Sequence, residues 1–437
     1  MPRTEKLGCI RCSNIYELET NRYGCECGGL LEARYDLANF KKGNLFGFWH
    51  ETQYFVPPHL TTAPWLRHSG VWKYHQLLPE IKGENIVSWN EGQTRLYTFP
   101  RLQNYFRFDL AALYFKHEGE NPTGSFKDRG MTVGVSWAKE QGKQALICAS
   151  TGNTAASLAS YARRAGIPAY VLVSKGNTAL GKISQSLAYG ATVLEIDGNF
   201  DQLMQIVKDL SVDERYYVLN SVNPLRLEGQ KTIIFELYAQ LDWKPLDFIF
   251  VPGGNLGNTA AFGKALSELK ELGMLEKIPK LIVAQAAGAD PFYQSYASDF
   301  KELKLCENPE TVATAIRIGN PVNYEKAVKA IRFTDGRVVS VADSAILGAK
   351  VILDREGIGA EPASAAGYAG LMQLWAQGLL PKSSRAAIIL TGHILKDTET
   401  ILKYHSGAMG ESPYVNRIMS VMASTEEVKK IIETRRS

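Results

Sequence analysis

The 437-residue chain has no apolar run approaching the roughly 18 residues that a membrane-spanning helix needs. It has no basic stripe and no acidic tail: 49 Lys and Arg stand against 45 Asp and Glu, a net charge of only +4. That balance argues against a nucleic-acid partner. Met1 to Ile10 lack the apolar core of a secretory leader, and arginine is not enriched there as in a transit peptide. No internal repeat or low-complexity tract interrupts the chain. The expectation is a cytoplasmic protein that avoids membrane and nucleic acid. Hydrophobic residues at 45% and charged residues at 22% are ordinary globular usage, and the length allows two or three domains.

Cysteine is scarce, six in all, but four fall within the first 27 residues. Cys9-Ile10-Arg11-Cys12 is one knuckle, and Cys25-Glu26-Cys27-Gly28-Gly29 is a second, tighter pair. Four thiolates from two turns can close a tetrahedral zinc site, and a segment this short needs such a staple to fold. Four protein ligands leave no open position, so a zinc ion here would be structural. The plain alternatives are reduced cysteines without metal, or a site degraded to a loop. The single residue between Cys25 and Cys27 departs from a standard zinc ribbon. A nucleic-acid-binding ribbon would need clustered cations, and Arg3, Lys6, Arg11, Arg22 and Arg34 are balanced by acids. Cys148, inside Ala145-Leu146-Ile147-Cys148-Ala149, reads as a small buried hydrophobe.

Residues 1–36 are therefore expected as a Cys-rich, zinc-ribbon-like module. Residues 37–118 read as an irregular, aromatic lead-in and part of a large domain, with Trp49, Trp65, Trp72, Trp89, Pro57-Pro58 and Pro64. From Ala145 strand and helix alternate. The apolar run Ala145–Ala149 precedes a helical pattern from Thr154 to Ala165, and Tyr170–Val173 follows as the next strand. Further strands are expected at Thr192–Ile196, Tyr216–Leu219, Phe248–Val251, Leu281–Ala284 and Ala386–Leu390. Helices are expected at Lys182–Tyr189, Phe200–Leu210, Gly229–Leu241, Thr259–Leu272, Asp343–Glu356 and Ala365–Gln377. Such alternation implies parallel strands with right-handed crossovers. A small α/β domain over 119–219 and a large one over 220–405 are expected, then a tail over 406–437. In the tail, Ser424-Thr425-Glu426-Glu427 has the form of a capping box.

Ligands of open parallel sheets bind at the carboxyl ends of the strands. Three turns fall there. Ser150-Thr151-Gly152-Asn153-Thr154 offers hydroxyls and a helix N-terminus for a carboxylate or phosphate, or is a plain N-cap loop. Pro252-Gly253-Gly254-Asn255-Leu256-Gly257-Asn258-Thr259 has the glycines for close approach to one phosphate, without the spacing of a dinucleotide or Walker loop. Leu390-Thr391-Gly392-His393 places a neutral hydroxyl at a strand end. A fourth stretch, Glu118 to Gly130, sets Lys127 in a Gly/Pro/Asn/Ser turn ahead of a helix. A lysine so placed is a candidate pocket amine with a lowered pKa, although a lysine in a helix N-terminal turn is ordinary by itself. An amine in a pocket with a cradle for one phosphate meets the requirement of pyridoxal 5′-phosphate.

On these stretches the chain resembles the threonine synthase family, pyridoxal-phosphate enzymes of fold type II, the tryptophan-synthase-β type. The matching segments are EGENPTGSFKDRG (118–130), ASTGNTAAS (149–157), ALGKISQSLAYGA (179–191) and NSVNPLRLEGQKT (220–232). GGNLGN (253–258), TVATAIRIGNP (311–321), EPASAAG (361–367) and LTGHILKD (390–397) follow in the family's order. The resemblance implies a two-domain open parallel-sheet fold and a homodimer. It implies that Lys127, beside Phe126, carries the cofactor as a Schiff base and is the catalytic base. Asn153 would bond the phenolic oxygen, Thr391 the ring nitrogen, and Gly254, Asn255, Leu256, Gly257 and Asn258 the cofactor phosphate. Ser150, Thr151 and Thr154 would hold the substrate carboxylate or its neighbourhood, Ser221 and Arg226 would lie near its phosphate, and Asn220 would belong to the same substrate site. Cys9, Cys12, Cys25 and Cys27 match N-terminal extensions seen on some relatives. The implied reaction turns O-phosphohomoserine and water into threonine and phosphate. A threonine/serine dehydratase or another β-replacement enzyme of the same fold is the alternative, and a regulatory zinc-ribbon protein with an inactive body is a second. One departure is Gly92-Gln93-Thr94-Arg95-Leu96, where the family usually has proline in place of Arg95; it puts the substrate in question.

Overall fold

A computed structural model describes residues 5–37, 40, 68–105, 108–176, 180–198, 200–410 and 412–434. Trp49, Trp65, Pro57, Pro58 and Pro64 of the expected lead-in lie outside them. The chain divides into two compact units, residues 1–396 and 397–437.

The first unit opens with a three-stranded antiparallel ribbon of β1 (Lys6–Cys9), β2 (Ile15–Glu17) and β3 (Leu31–Arg34), in the order β2-β1-β3. The lead-in then lies along a helix of the main body: Trp72 Nε1 donates to Thr132 Oγ1 at 2.9 Å, and Thr132 Oγ1 donates to Val87 O at 2.6 Å. The chain continues through β4 (Leu96–Thr98), α1 (Pro100–Tyr105), β5 (Ala112–His117) and α2 (Lys127–Glu140). Next come β6 (Ala145–Ala149), α3 (Asn153–Ala165), β7 (Ala169–Ser174), α4 (Leu180–Ala188), β8 (Thr192–Ile196), α5 (Phe200–Leu210) and β9 (Tyr216–Val218). The second half is α6 (Pro224–Gln240), β10 (Phe248–Pro252), α7 (Gly257–Glu271), β11 (Lys280–Ala286), α8 (Pro291–Ala297) and α9 (Tyr324–Phe333). β12 (Arg337–Val341), α10 (Asp343–Arg355), α11 (Pro362–Ala376) and β13 (Arg385–Leu390) complete it.

Two sheets result. The smaller is fully parallel, in the order β8-β7-β6-β9. The larger is ordered β12-β11-β10-β13-β5-β4 and is parallel except for the antiparallel edge strand β4. Every residue of β6 and β10 is buried, as expected of central strands covered on both faces. Helix α6 is buried from Pro224 through Tyr238. It starts five residues before the expected Gly229. Asn223 caps it, accepting from the N–H groups of Leu225 and Arg226, and Pro224 fills the first turn. That early start puts Arg226 in the first turn.

Burying charge is unfavourable unless each group is matched. Arg129 and Glu118 are both fully buried, and Arg129 donates to Glu118 at 2.6 and 2.8 Å and to Glu236 at 2.7 Å. Lys116 Nζ reaches Glu236 at 2.5 Å. Burial alone would raise the Glu118 carboxyl, but Arg129 holds it below the usual range. Glu118 and Arg129 bracket the turn that carries Lys127, so this network clamps both ends of that turn between β5, α2 and α6.

The second unit contains α12 (Thr398–Ser406) and α13 (Thr425–Thr434). Asp397 caps α12, accepting from Thr400 N–H at 3.1 Å. Ser424 Oγ accepts from Glu427 N–H at 3.5 Å, in the sense of the expected capping box, and no residue of α13 is buried. Among the described residues no helix is long and apolar enough to cross a membrane.

Candidate active site

The lysine turn is sewn to the carboxyl end of β13. Phe126 N–H donates to Thr391 O at 3.0 Å, and Ser125 bridges Gly392. Gly124 makes the bend at φ +87°, a backbone region that disfavours side chains. Lys127 follows as the first residue of α2, half-buried in the wall of a cavity of about 770 Å³. Its Nζ lies 4.3 Å from the centroid of the Phe126 ring. Burial, aided by repulsion from Arg226 and opposed by Glu361, brings the Lys127 amine down to about 7.

The glycine turn faces the same cavity. A side chain at Gly253 would meet Val283 Cγ1 at 2.5 Å, and one at Gly254 would meet Ile316 Cα at 3.0 Å. Leu256 adopts φ +60° and redirects the chain into α7. Asn255 O accepts from Asn323 N at 3.1 Å and Nδ2 at 3.3 Å, which fixes the turn to the start of α9. The first turn of α7 presents N–H groups that have no carbonyl partner within the helix. Gly254 through Asn258 all line the cavity. A cradle of glycines, a helix N-terminus and a nearby desolvated amine fit an aldehyde cofactor with one phosphate.

Asn153, at the start of α3, points its Nδ2 at the Glu361 carboxylate, 3.0 and 3.2 Å away. Thr391, buried at the end of β13, has its hydroxyl 3.0 Å from that of Ser364. Ser150, Thr151 and Thr154 line the cavity at the N-terminus of α3, where Gly152 is the cap and no side chain closes the first turn. Ser221 lines it too. Arg226 is about 1% exposed, and its Nη1 donates to Leu219 O at 2.8 Å. Its Nε and Nη2 have no hydrogen-bond partner among the described residues, and burial brings its guanidinium down to about 10. A cation in this state is an open anion receptor.

Asn220 is placed differently. Its amide closes a reciprocal pair with the backbone of Ala149, both bonds 3.0 Å, and its side chain does not line the cavity. It joins the ends of β6 and β9 and so positions Ser150 and Ser221. Arg95 also lies away from the lysine cavity: its side chain is exposed, and its N–H donates to Glu120 Oε2 at 2.8 Å. Proline there would remove that donor. Glu361, Asn323 and the Thr314–Arg317 segment of the cavity wall had no role assigned from sequence. EPASAAG and TVATAIRIGNP contain two of these sites, but their function depends on partners distant in the chain.

At the ribbon, the Sγ atoms of Cys9, Cys12, Cys25 and Cys27 all lie within 4.8 Å of one another. Cys9–Cys27 is 3.4 Å and Cys12–Cys25 is 3.6 Å. Tetrahedral zinc–thiolate bonding separates sulfurs by about 3.8 Å, so these four can hold a metal ion.

The two parallel-type sheets, the lysine with its lowered pKa and the glycine turn in one cavity wall fit a cofactor enzyme that works through an amine. The sequence profile of the pyridoxal-phosphate dependent enzymes matches residues 87–392, and the chain belongs to that family. Its similarity to threonine synthases runs nearly end to end. That of Methanocaldococcus jannaschii is 44% identical over 396 residues, covering 90% of this chain and 94% of the relative. That of Methanosarcina acetivorans is 47% identical over 398 residues, covering 91% and 93%. Among solved structures, maize serine racemase superposes with a TM-score of 0.59 at 22% identity over 72% of this chain and 94% of its own. Threonine deaminase isoform 2 of Solanum lycopersicum gives 0.61 at 22% identity over 72% and 84%. These two establish fold type II and nothing finer.

Proposed function

We propose that this chain is a threonine synthase, converting O-phospho-L-homoserine and water to L-threonine and phosphate. The observation that carries the reading is Arg226, a buried guanidinium with two unpartnered nitrogens in the cavity that holds Lys127. A dehydratase acting on serine or threonine has no second anion to place there. A phosphate ester does, and Arg226 offers it a planar fork, with Ser221 beside it.

Pyridoxal phosphate, when bound, supplies an aldehyde and an electron sink next to the substrate amine. Lys127 would hold it, with Gly254, Asn255, Leu256, Gly257 and Asn258 around its phosphate. Asn153 would donate to its phenolic oxygen. The neutral hydroxyl of Thr391 would face the ring nitrogen and, unlike a carboxylate, would not keep that nitrogen protonated, which disfavours amino-group transfer. Ser150, Thr151 and Thr154, at an uncapped helix start, would take the substrate carboxylate. Lys127, brought down to about 7 and so largely neutral above that pH, would remove the α-proton and then serve the β-carbon. As phosphate leaves the γ-carbon that carbon gains a proton to become the methyl group, water places its hydroxyl on the β-carbon, and the α-carbon recovers its proton, which completes the balance.

Incubation of purified protein with O-phosphohomoserine should release phosphate and threonine in equal amounts. Ketoacid from threonine, with no phosphate released, would assign it to the dehydratases instead. At the ribbon the same reading includes one structural zinc per chain on Cys9, Cys12, Cys25 and Cys27, measurable by metal analysis. A homodimer is expected by sedimentation.

A further inference from the structure

The cavity has a second lysine, outside the machinery assigned above. Lys396 stands six residues past the end of β13 in the larger sheet, and it lines the cavity together with Gln185 of α4, in the smaller sheet's layer. Its Nζ donates to Gln185 Oε1 at 2.6 Å and to Thr123 O at 2.9 Å. Gln185 Nε2 donates to the same Thr123 O at 3.1 Å. The three groups therefore close a ring of hydrogen bonds between the two sheets and the lysine turn. Thr123 is itself fixed: its N–H and hydroxyl donate to Asp128 at 2.7 and 2.6 Å. The stem of Lys396 crosses the bend at Gly124, where an added Cβ would stand 3.2 Å from Lys396 Cδ.

We propose that Lys396 is a positioning residue, clasping α4 and the lysine turn together so that the cavity is held to the size of its substrate. No carboxylate among the described residues pairs with this ammonium within 4 Å, so its bonds are to neutral oxygens. Burial lowers its pKa, with Glu361 and Asp128 acting in the opposite sense. Two charge-assisted bonds to neutral acceptors make a moderate tie, strong enough to order a short helix and weak enough to release it.

The test uses the cofactor-loaded enzyme with Lys396→Met, Gln185→Leu and Gln185→Glu. Amide hydrogen exchange over 180–188, without substrate, should accelerate by about tenfold in Lys396→Met and Gln185→Leu, and stay near wild type in Gln185→Glu, which keeps an acceptor. The substrate arm rests on the threonine synthase reading: KM for O-phosphohomoserine should rise by about tenfold while kcat changes by less than about threefold. Unchanged exchange in both Lys396→Met and Gln185→Leu overturns the clasp. A fall in kcat equal to that in kcat/KM also overturns it, by assigning Lys396 to the chemistry. Faster exchange in an enzyme that makes no threonine keeps the clasp and discards the substrate.

Discussion

Lys127 has a lowered pKa because burial disfavours its charged form and Arg226 adds like charge, against a smaller pull from Glu361. The sign is direct: an amine with a pKa of about 7 is mostly neutral above that pH, whereas an ordinary lysine becomes so only above about 10.4. In cofactor-free protein the rate of capture of pyridoxal phosphate, followed by absorbance, should climb to about pH 7 and then level. Continued acceleration to pH 10 would show an ordinary lysine. Lys127→Ala should lose both the absorbance band and turnover. Arg226 makes a second prediction in which stability and function diverge. Its Nε and Nη2 are buried and unpartnered, so Arg226→Met should stabilise the ligand-free protein, by about 1–3 kcal/mol in thermal melts. The same change should raise KM for the phosphorylated substrate at least tenfold. An unchanged KM would place the substrate phosphate elsewhere. Lys127 was legible in the sequence because turn residues around a lysine are a local signal, whereas Arg226 was named only through the family resemblance of NSVNPLRLEGQKT. Glu361 was not, because its meaning comes from Asn153, 208 positions away.

Elements were legible where the apolar pattern was continuous. β6, β7, β10 and β13 lie where their runs of Ile, Val, Leu and Ala place them. β5 was hidden because Lys116 and His117, which end it, read as surface residues, yet both are buried. Their partners, Glu236 and the carbonyl of Ile358, come from other parts of the chain. The start of α6 was expected five residues late, at Gly229. In fact Gly229 is a close approach, where a Cβ would meet Arg129 O at 1.8 Å. The glycine turn before α7 offers the test at this scale. Gly253→Ala sets a methyl 2.5 Å from Val283 Cγ1, a side chain of the neighbouring strand β11. The turn must move, and its amides with it, so affinity for pyridoxal phosphate should fall about tenfold or more while β10 and β11 stay paired. Titration of the cofactor-free variant, with circular dichroism as the control for folding, reads both. Undiminished affinity would mean that the phosphate is gripped outside this turn.

In the first unit, the cysteine ribbon and the cavity share helix α9. Lys329 Nζ donates to Ile10 O and Lys326 Nζ to Leu31 O, both at 2.6 Å, and Arg11 in the first knuckle pairs with Glu325. At the start of the same helix Asn323 holds Asn255 O of the glycine turn and Ser221 O of the cavity wall. Beside it, Tyr35 of the ribbon donates to Glu228 on α6 at 2.9 Å, and Glu228 is paired with Lys231 at 2.6 Å. The apolar side chains that the ribbon buries, Leu7, Leu18, Leu31 and Ala33, join the core of the main body, so its cysteine knuckles depend on their four sulfurs being drawn to one centre. If the sulfurs hold zinc, chelation lets β1 and β3 fray, and the ammonium of Lys326, about 6% exposed, loses a buried acceptor. A buried donor left without a partner costs about 1–3 kcal/mol, a few degrees of Tm in a protein of this size. A strong chelator should therefore lower Tm of the wild type and leave Cys12→Ser, already depleted of metal, where it was. Because α9 reaches the glycine turn proposed to hold the cofactor phosphate, pyridoxal phosphate should also bind less tightly to the chelated protein. An equal Tm and an equal cofactor affinity with and without metal would make the ribbon an independent appendage, and the bonds of Lys326 and Lys329 mere docking contacts.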